Sequence, residues 1–238
     1  MRTVTTPALL VRQVAYGESD VIATFFTEAE GKLGAMVRGG RKSTKRVGGA
    51  LEPFHTIEAR IDDRGGELAT LREARIVRVR AGIASSLEAM DAAGTALRWV
   101  RHVCPPRTRE PEAWHTLIEL LDALDGQGGS AASGGARVAL AQAGLRLLSD
   151  VGYALDLERC IQCGKECPSD RSARVDPARG GLVCSACGGG RVVVTADLRA
   201  KAIAAARRDP APAMTPADAD AILAIVDAAM AAHAGFDR

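Results

Sequence analysis

Two pairs of closely spaced cysteines constrain this sequence more than any other feature. Cys160 and Cys163 are separated by two residues, as are Cys184 and Cys187, and 20 residues lie between the pairs. Each pair can bind a metal ion from a tight turn, and two pairs supply the tetrahedron of thiolates that structural zinc prefers. Four cysteines leave no open coordination position, so the spacing predicts one structural Zn²⁺ rather than a catalytic ion.

A fifth cysteine, Cys167, keeps two other interpretations of this region open. With the first pair it matches the last three cysteines of the bacterial ferredoxin run, and a proline follows it as in that run. An iron–sulfur cluster would still need a ligand from the second pair, because Leu157 stands where the first cysteine of the run belongs. A redox-active Cys-x2-Cys pair is the other alternative, although it requires only one of the two pairs.

The cellular compartment follows from the same cysteines and from the absence of targeting patterns. Five of the six cysteines lie between residues 160 and 187. The sequence shows no apolar signal segment and no run of the roughly 18 apolar residues that a membrane span needs. We therefore expect a cytoplasmic protein with no membrane partner, in which reduced thiols bind metal.

Common catalytic signatures are missing from the sequence. No histidine is followed by the glutamate of a deaminase motif, and no Gly-x-Ser-x-Gly, phosphate-binding loop or Gly-x-Gly-x-x-Gly occurs. We therefore expect a protein without catalytic residues.

The first 80 residues show short strands separated by turns. Apolar and β-branched runs at residues 8–14, 21–26 and 33–37 alternate with turn residues. Residues 54–61 alternate between apolar and polar side chains, and residues 68–79 resume the extended pattern after a hairpin loop. Five such strands favour a small barrel such as an OB-fold, although an SH3-like barrel fits the strand count nearly as well.

From residue 83 onward the apolar period is helical. Residues 126–135 are rich in glycine and serine and are expected to form a linker, whereas Thr215 and Pro216 mark the start of the last helix. One helix, capped by Ser85 or Ser86, is predicted to bury a stripe made of Leu87, Met90, Gly94, Leu97 and Arg101.

These patterns together predict an α+β multidomain protein. An N-terminal OB-fold β-barrel is expected over residues 1–80, and a C-terminal α-helical domain over residues 81–238. The four-cysteine zinc finger is expected as an insertion in the helical domain at about residues 158–192.

Positive charge is concentrated in the predicted barrel. Residues 1–80 carry 14 Lys and Arg against 10 Asp and Glu, whereas the whole chain has a net charge of +2. The densest run is the basic loop, RGGRKSTKR at residues 38–46, whose five cations are Arg38, Arg41, Lys42, Lys45 and Arg46. Such a loop suits DNA, because release of counterions from the phosphate backbone drives binding without reading sequence. Most barrel aromatic residues are expected in the core, so base stacking is expected to be minor.

The order of several short motifs resembles that of the RecO family of bacterial recombination mediators. In the first domain these motifs are YGESD at residues 16–20, RGGRK at 38–42 and LEPF at 51–54. Further along they are Gly-Tyr at residues 152–153, Cys-x2-Cys-Gly, Gly-Gly at 180–181 and the second Cys-x2-Cys. The resemblance covers nearly the whole chain.

This resemblance implies an OB-fold joined to a helical domain with a zinc finger. Zinc would fall on the two cysteine pairs, and DNA on the basic loop. It further implies binding of single- and double-stranded DNA and annealing of complementary strands. The family's partners would be RecR and the acidic C-terminal tail of single-strand-binding protein. Together with RecR, a member of the family would load RecA onto DNA that single-strand-binding protein coats. The expected location is the bacterial cytoplasm, associated with the nucleoid.

The acidic middle of the chain supports an alternative function. Residues 81–159 carry 7 basic and 10 acidic side chains. On this alternative the protein is a zinc-containing protein–protein adaptor with little direct DNA binding.

Overall fold

A closed five-stranded barrel forms the N-terminal part of the protein. The structure is a computed structural model and describes residues 2–41, 47, 49–126, 134–210 and 213–233. The strands are β1 (Arg2–Tyr16), β2 (Asp20–Thr27), β3 (Gly31–Val37), β4 (Thr56–Asp63) and β5 (Ala69–Arg78). They close in the order β1-β2-β3-β5-β4, which is that of the OB-fold and not of an SH3-like barrel.

The first strand closes the barrel because its two halves pair with different neighbours. Residues 2–8 pair with β4, and residues 8–16 pair with β2. The partner changes at Ala8, and a register shift between Leu10 and Arg12 interrupts the pairing with β2. Beyond that shift, β1 and β2 extend past the end of β4 as an arm, in which residues 12–18 are exposed and β2 also pairs with β3 as far as Val37. The turn at the tip of this arm therefore projects from the barrel.

Alternating side chains fill the barrel interior as predicted. In β4, Ile57, Ala59 and Ile61 are buried, whereas Glu58 and Arg60 between them are exposed. This period of two places one face of the strand inward, because successive side chains of a strand point to opposite sides of the sheet.

Six helices are described after the barrel. They are α1 (Ala81–Ala84), α2 (Leu87–Val103), α3 (Pro111–Gly126), α4 (Gly135–Asp150), α5 (Ala196–Arg207) and α6 (Pro216–His233). Two predicted caps are confirmed: the Ser86 hydroxyl accepts the Ala89 N–H at 3.3 Å, and the Thr215 hydroxyl accepts the Asp218 N–H at 3.2 Å. In the described part of the chain, no helix combines the length and apolar character that spanning a bilayer requires.

The buried face of α2 differs from the predicted stripe. Leu87 is 79% exposed. The buried side chains are mostly small: Ala89, Ala92, Ala93, Thr95, Ala96, Leu97, Trp99, Val100 and Val103. Close helix approach explains the difference, since on the neighbouring α4 a Cβ atom added to Gly144 would lie 2.9 Å from the Trp99 ring. Leu97 is buried as predicted and Met90 packs against the core, but the prediction was wrong for Leu87 and did not include the buried alanines.

The barrel and the helices share one apolar core. Leu9 and Phe26 point out of the barrel into the cluster formed by the helices, and the Phe26 and Trp114 ring centroids lie 5.9 Å apart. The barrel therefore packs directly on the helical bundle.

A buried guanidinium reinforces this junction. Arg80, at the end of the barrel chain, is 1% exposed. Its Nη1 donates to the Phe54 carbonyl at 2.8 Å and to the Thr56 hydroxyl at 2.9 Å, and its Nε donates to Asp122 on α3 at 2.7 Å. One side chain thus joins the barrel to the helices by three hydrogen bonds.

A small sheet is inserted between α4 and α5, and we call residues 156–194 the cysteine module. Its strands are β6 (Asp156–Cys160), β7 (Ala173–Asp176), β8 (Gly181–Leu182) and β9 (Val192–Val194), in the order β6-β8-β7-β9. The buried residues at its centre are Cys160, Ala173 and Leu182. A core of this size needs a further constraint to stay folded.

Replacing Arg80 with alanine is expected to lower the free energy of unfolding by about 2–4 kcal/mol, measured by urea unfolding. The Phe54 carbonyl and the Thr56 hydroxyl would lose a buried donor, at roughly 1–3 kcal/mol each. Arg78 is the matched control, because it also pairs with Asp122, at 3.4 Å, but is 56% exposed. Arg78→Ala is expected to cost less than about 1 kcal/mol. Equal losses in the two variants would contradict the role assigned to Arg80.

Candidate metal centre and nucleic-acid surface

The four paired cysteines meet at one end of the cysteine module. The sulfur atoms of Cys160, Cys163, Cys184 and Cys187 all lie within 4.8 Å of one another. The first cysteine ends β6 and the second lies in the turn that follows. The third precedes the 3₁₀ turn Ser185–Cys187, and the fourth ends it. Two distant turns therefore bring their thiols to a common point.

Glycine makes both turns possible. Gly164 and Gly188, one residue after each pair, have φ angles of 71° and 96°, which favour a residue without a Cβ atom. The N–H of Gly164 donates to the Cys160 carbonyl at 2.8 Å, and the N–H of Cys187 donates to the Cys184 carbonyl at 2.9 Å. Each turn is thus closed by its own backbone hydrogen bond, which holds its sulfurs toward the centre.

The electrostatics of the four sulfurs suit a cation. The backbone N–H of Cys184 donates to the Cys160 sulfur at 3.4 Å. This hydrogen bond and one from the backbone N–H of Cys163 lower the pKa of Cys160 to about 6. Hydrogen bonds with Cys184 and Cys163 raise the pKa of Cys187 to about 12. Four thiols so close together cannot all ionise unless a cation compensates their charge, and a thiolate set of this kind fits a soft or borderline metal ion. These four side chains can therefore hold one metal ion.

Cys167 stands apart from this group of four. Its N–H donates to the Glu158 carbonyl at 2.8 Å, and its own carbonyl accepts from Arg199 at 3.4 Å. Within the described residues, the metal-ligating cluster contains both cysteine pairs and excludes Cys167. The ferredoxin-like interpretation needed Cys167 beside the first pair, and the geometry gives it no support.

The first part of the basic loop is anchored to the turn of the β1–β2 arm. The N–H of Gly39 donates to the Asp20 carboxylate at 2.8 Å, and the N–H of Arg41 donates to the Ser19 carbonyl at 3.0 Å. Arg38 and Arg41 are exposed. Lys42, Lys45 and Arg46 lie outside the described residues. The loop therefore leaves the barrel beside the tip of the arm.

Arg41 differs in its surroundings from the arginines on the barrel wall. Arg72 pairs with Asp62 at 2.6 Å, and Arg75 pairs with Glu58 at 2.9 Å. The Arg41 guanidinium instead contacts the Glu18 backbone carbonyl at 3.5 Å and no carboxylate among the described residues. Its charge thus remains available to an external anion.

Tyr16 is an exposed aromatic residue, and a candidate for the site, that the sequence reasoning missed. Phe25 and Phe26 are fully buried, as predicted, but Tyr16 is 55% exposed. It pairs with Asp20 at the tip of the arm, and the Asp20 carboxylate holds the first part of the basic loop. The sequence contained a signal for this exposure, because Tyr16 directly precedes the turn residue Gly17 and side chains next to a turn commonly lie outside the core.

Removal of one cysteine from either pair is expected to abolish metal binding. Cys160→Ser and Cys184→Ser each remove one of the four sulfurs, so purified protein should lose most bound metal in elemental analysis, and the cysteine module should unfold at lower temperature. Cys167→Ser is the matched control and should keep its metal. Metal loss from the control would show that the ligand set is wrong.

Comparisons with known proteins agree with the observed architecture. The family model described as Recombination protein O N terminal matches residues 1–80, and that described as Recombination protein O C terminal matches residues 84–238. The chain resembles the DNA repair protein RecO of Geobacter sulfurreducens, with 37% identity over 79% of this chain and 74% of that protein.

Two further relatives carry the same name. The DNA repair protein RecO of Anaeromyxobacter sp. is 33% identical over 75% of this chain and 68% of its own length. That of Rubrobacter xylanophilus is 31% identical over 75% of this chain and 69% of its own length. Since the two family models match almost all of its length and a relative of that name is 37% identical to it, the chain belongs to the RecO family of DNA repair proteins.

Proposed function

We propose that the protein is a non-enzymatic recombination mediator that binds single- and double-stranded DNA and anneals complementary strands. The observation that carries this proposal is the arm of the barrel, where exposed Tyr16 lies at the turn that anchors the basic loop. Loops at this end of an OB-fold commonly bind nucleic acid. Membership of a family of DNA repair proteins supports the same conclusion.

Two kinds of contact would act together at the arm. The cations of the basic loop, Arg38, Arg41, Lys42, Lys45 and Arg46, would neutralise phosphates and release counterions. The Tyr16 ring would offer a stacking surface to an unpaired base, since every base has a π-face. Neither contact reads sequence, which suits a protein that must act on any damaged region.

Annealing requires no catalytic residue on this proposal. Two complementary strands repel each other through their phosphates, and a protein that neutralises that charge raises the rate at which they meet. Once the strands have met, their bases pair without any chemical step by the protein.

Zinc is proposed as the ion held by the four paired cysteines. Bound zinc would supply folding free energy to the small cysteine module, because an ordered set of four thiolates does not exist in the unfolded chain. Cys160, Cys163, Cys184 and Cys187 would close the coordination shell, so the ion would have a structural role.

The partners proposed are those that the family resemblance implies. Together with RecR, the protein would load RecA onto single-stranded DNA coated by single-strand-binding protein, and it would contact the acidic C-terminal tail of that protein. It would act in the bacterial cytoplasm, associated with the nucleoid.

Annealing of complementary oligonucleotides tests the proposal most directly. The rate is measured with naked strands and with strands coated by single-strand-binding protein, at two salt concentrations. Salt-sensitive acceleration on both substrates would support the mediator function. Acceleration on neither, together with no retention of DNA in filter binding, would favour the adaptor alternative instead.

Alanine at all five cations of the basic loop is expected to weaken single-strand binding and to flatten its salt dependence. Five phosphate contacts predict a log–log slope that is smaller by about 3.5, at ~0.7 per contact. Fluorescence anisotropy across a salt series measures both effects. Arg75→Ala, whose guanidinium pairs with Glu58, should change the slope little. An unchanged slope in the loop variant would refute the assignment.

Tyr16→Ala is expected to lower the affinity for single-stranded DNA by about tenfold, because loss of one stacked base costs roughly 1–3 kcal/mol. Binding to double-stranded DNA should change much less, since paired bases are not available for stacking. Tyr16→Phe retains the ring and should bind like the unaltered protein. A loss of equal size on both kinds of DNA would argue against stacking.

A further inference from the structure

We propose that a basic groove on the cysteine module binds the phosphodiester backbone of a second DNA strand, while the barrel arm holds the first. This inference rests on the annealing function proposed above. The groove has a volume of about 490 Å³ and lies between the segment 165–174 and the segment 182–186, with Val193 at its side. Its cations are Lys165, Arg171 and Arg174.

The cations of the groove are not neutralised by neighbouring carboxylates. Lys165 and Arg171 are exposed, and neither side chain has a hydrogen bond or ion pair with another described residue. Arg174 donates from Nη1 to the Gly190 carbonyl at 3.4 Å and contacts no carboxylate in the same part of the chain. Glu166, the acidic residue of the lining, is engaged by Arg159 at 3.1 Å. The groove therefore presents three positive charges to a ligand.

The other lining groups favour a phosphate backbone over an acidic peptide. Ser172 and Ser185 add neutral hydroxyl donors of the kind that contact DNA phosphates. Val193 is the cross-strand partner of Arg174 and is 60% exposed, so it can cover a sugar but forms no closed apolar pocket. Peptide docking usually depends on a buried anchor in such a pocket.

The metal centre would hold the walls of the groove in place. Cys184, one of the four clustered cysteines, lines the groove, and its N–H contacts the Cys160 sulfur. Arg174 lies on β7, whose neighbour β8 enters the second cysteine pair. The cations thus project from a frame that a bound ion would stiffen.

A second cationic surface gives annealing a physical basis. If both strands competed for the barrel arm, each would displace the other. The groove belongs to a different sheet from the arm, so each strand can be neutralised on its own surface. The mutual repulsion of the strands would then be reduced while both remain bound to one protein.

The test counts strands per chain. Full-length protein with its metal bound is titrated at low salt with a dye-labelled thymidine octanucleotide, whose length suits one OB-type site. Sedimentation velocity measures the bound dye. The unaltered protein is expected to bind two strands, and the groove variant Lys165→Ala/Arg171→Ala/Arg174→Ala is expected to bind one.

A charge-matched control separates the groove from general electrostatics. The triple variant Arg98→Ala, Arg137→Ala and Arg191→Ala removes the same charge from exposed positions outside the groove lining. It is expected to bind two strands. The groove variant should anneal complementary strands about tenfold more slowly than this control. In the unaltered protein and in the control, the second binding step should have a salt slope of about 2, from three contacts at ~0.7 each.

Two further variants exclude a purely structural effect. Arg171→Lys/Arg174→Lys keeps the charge and should still bind two strands. If the triple alanine variant loses its metal or unfolds, Arg171→Ala replaces it, since that side chain has no partner among the described residues. The salt slope of second-strand binding by Arg171→Ala should then be smaller by about 0.7.

The outcomes distinguish this inference from the function on which it rests. Two strands on the groove variant, or one strand on the unaltered protein, would overturn the groove while leaving the barrel site intact. No strand on the unaltered protein would instead overturn the proposed function. If the groove variant keeps both strands but loses affinity for a hexaglutamate peptide, the groove serves an acidic protein partner and the inference is wrong.

Discussion

The buried guanidinium of Arg80 is the interaction on which the arrangement of the protein depends. Removing a charge from water is costly unless hydrogen bonds and a counter-charge replace the solvent, and Arg80 receives both, from Phe54, Thr56 and Asp122. Two of these partners belong to the barrel side and one belongs to α3. Lys32, 5% exposed, makes a second polar anchor by donating to the Arg101 carbonyl at the end of α2. Because these contacts bridge two apolar layers, they specify how the barrel sits on the bundle.

The cysteine module is held by a different balance of forces. Its strands contain two to five residues, and Leu157, Val175 and Val194 on them pack into the core of the helices, whereas Cys160, Ala173 and Leu182 form a small separate core. A buried polar side chain also ties it to the bundle, because Arg199 on α5 is 3% exposed and donates to the carbonyls of Cys167 and Pro168. The contacts of Cys167 with Glu158 and Arg199 are thus made by its backbone, through its N–H and its carbonyl.

Much of the fold was predictable because its signals are local. The spacing of the cysteine pairs, the alternation around Ile57 and the cap at Thr215 each depend on residues close in sequence, and the structure confirms them. The buried alanines of α2 and the exposure of Tyr16 depend on which elements approach from elsewhere in the chain. Cross-strand register also decides which arginines of the barrel wall pair with a carboxylate and so differ from Arg41. A sequence pattern that ranks residues by size and polarity does not contain that information.

Because β1 pairs with β4 over its first half and with β2 over its second half, the barrel and its arm share one continuous strand. Successive side chains of a strand face opposite ways, so the number of residues between Ala8 and Tyr16 sets the side on which the Tyr16 ring emerges. Val11, at the register shift after Leu10, has no Cα partner on β2 and changes that number by one. An odd number of residues inserted between Arg12 and Tyr16 would therefore turn the ring to the opposite face of the arm.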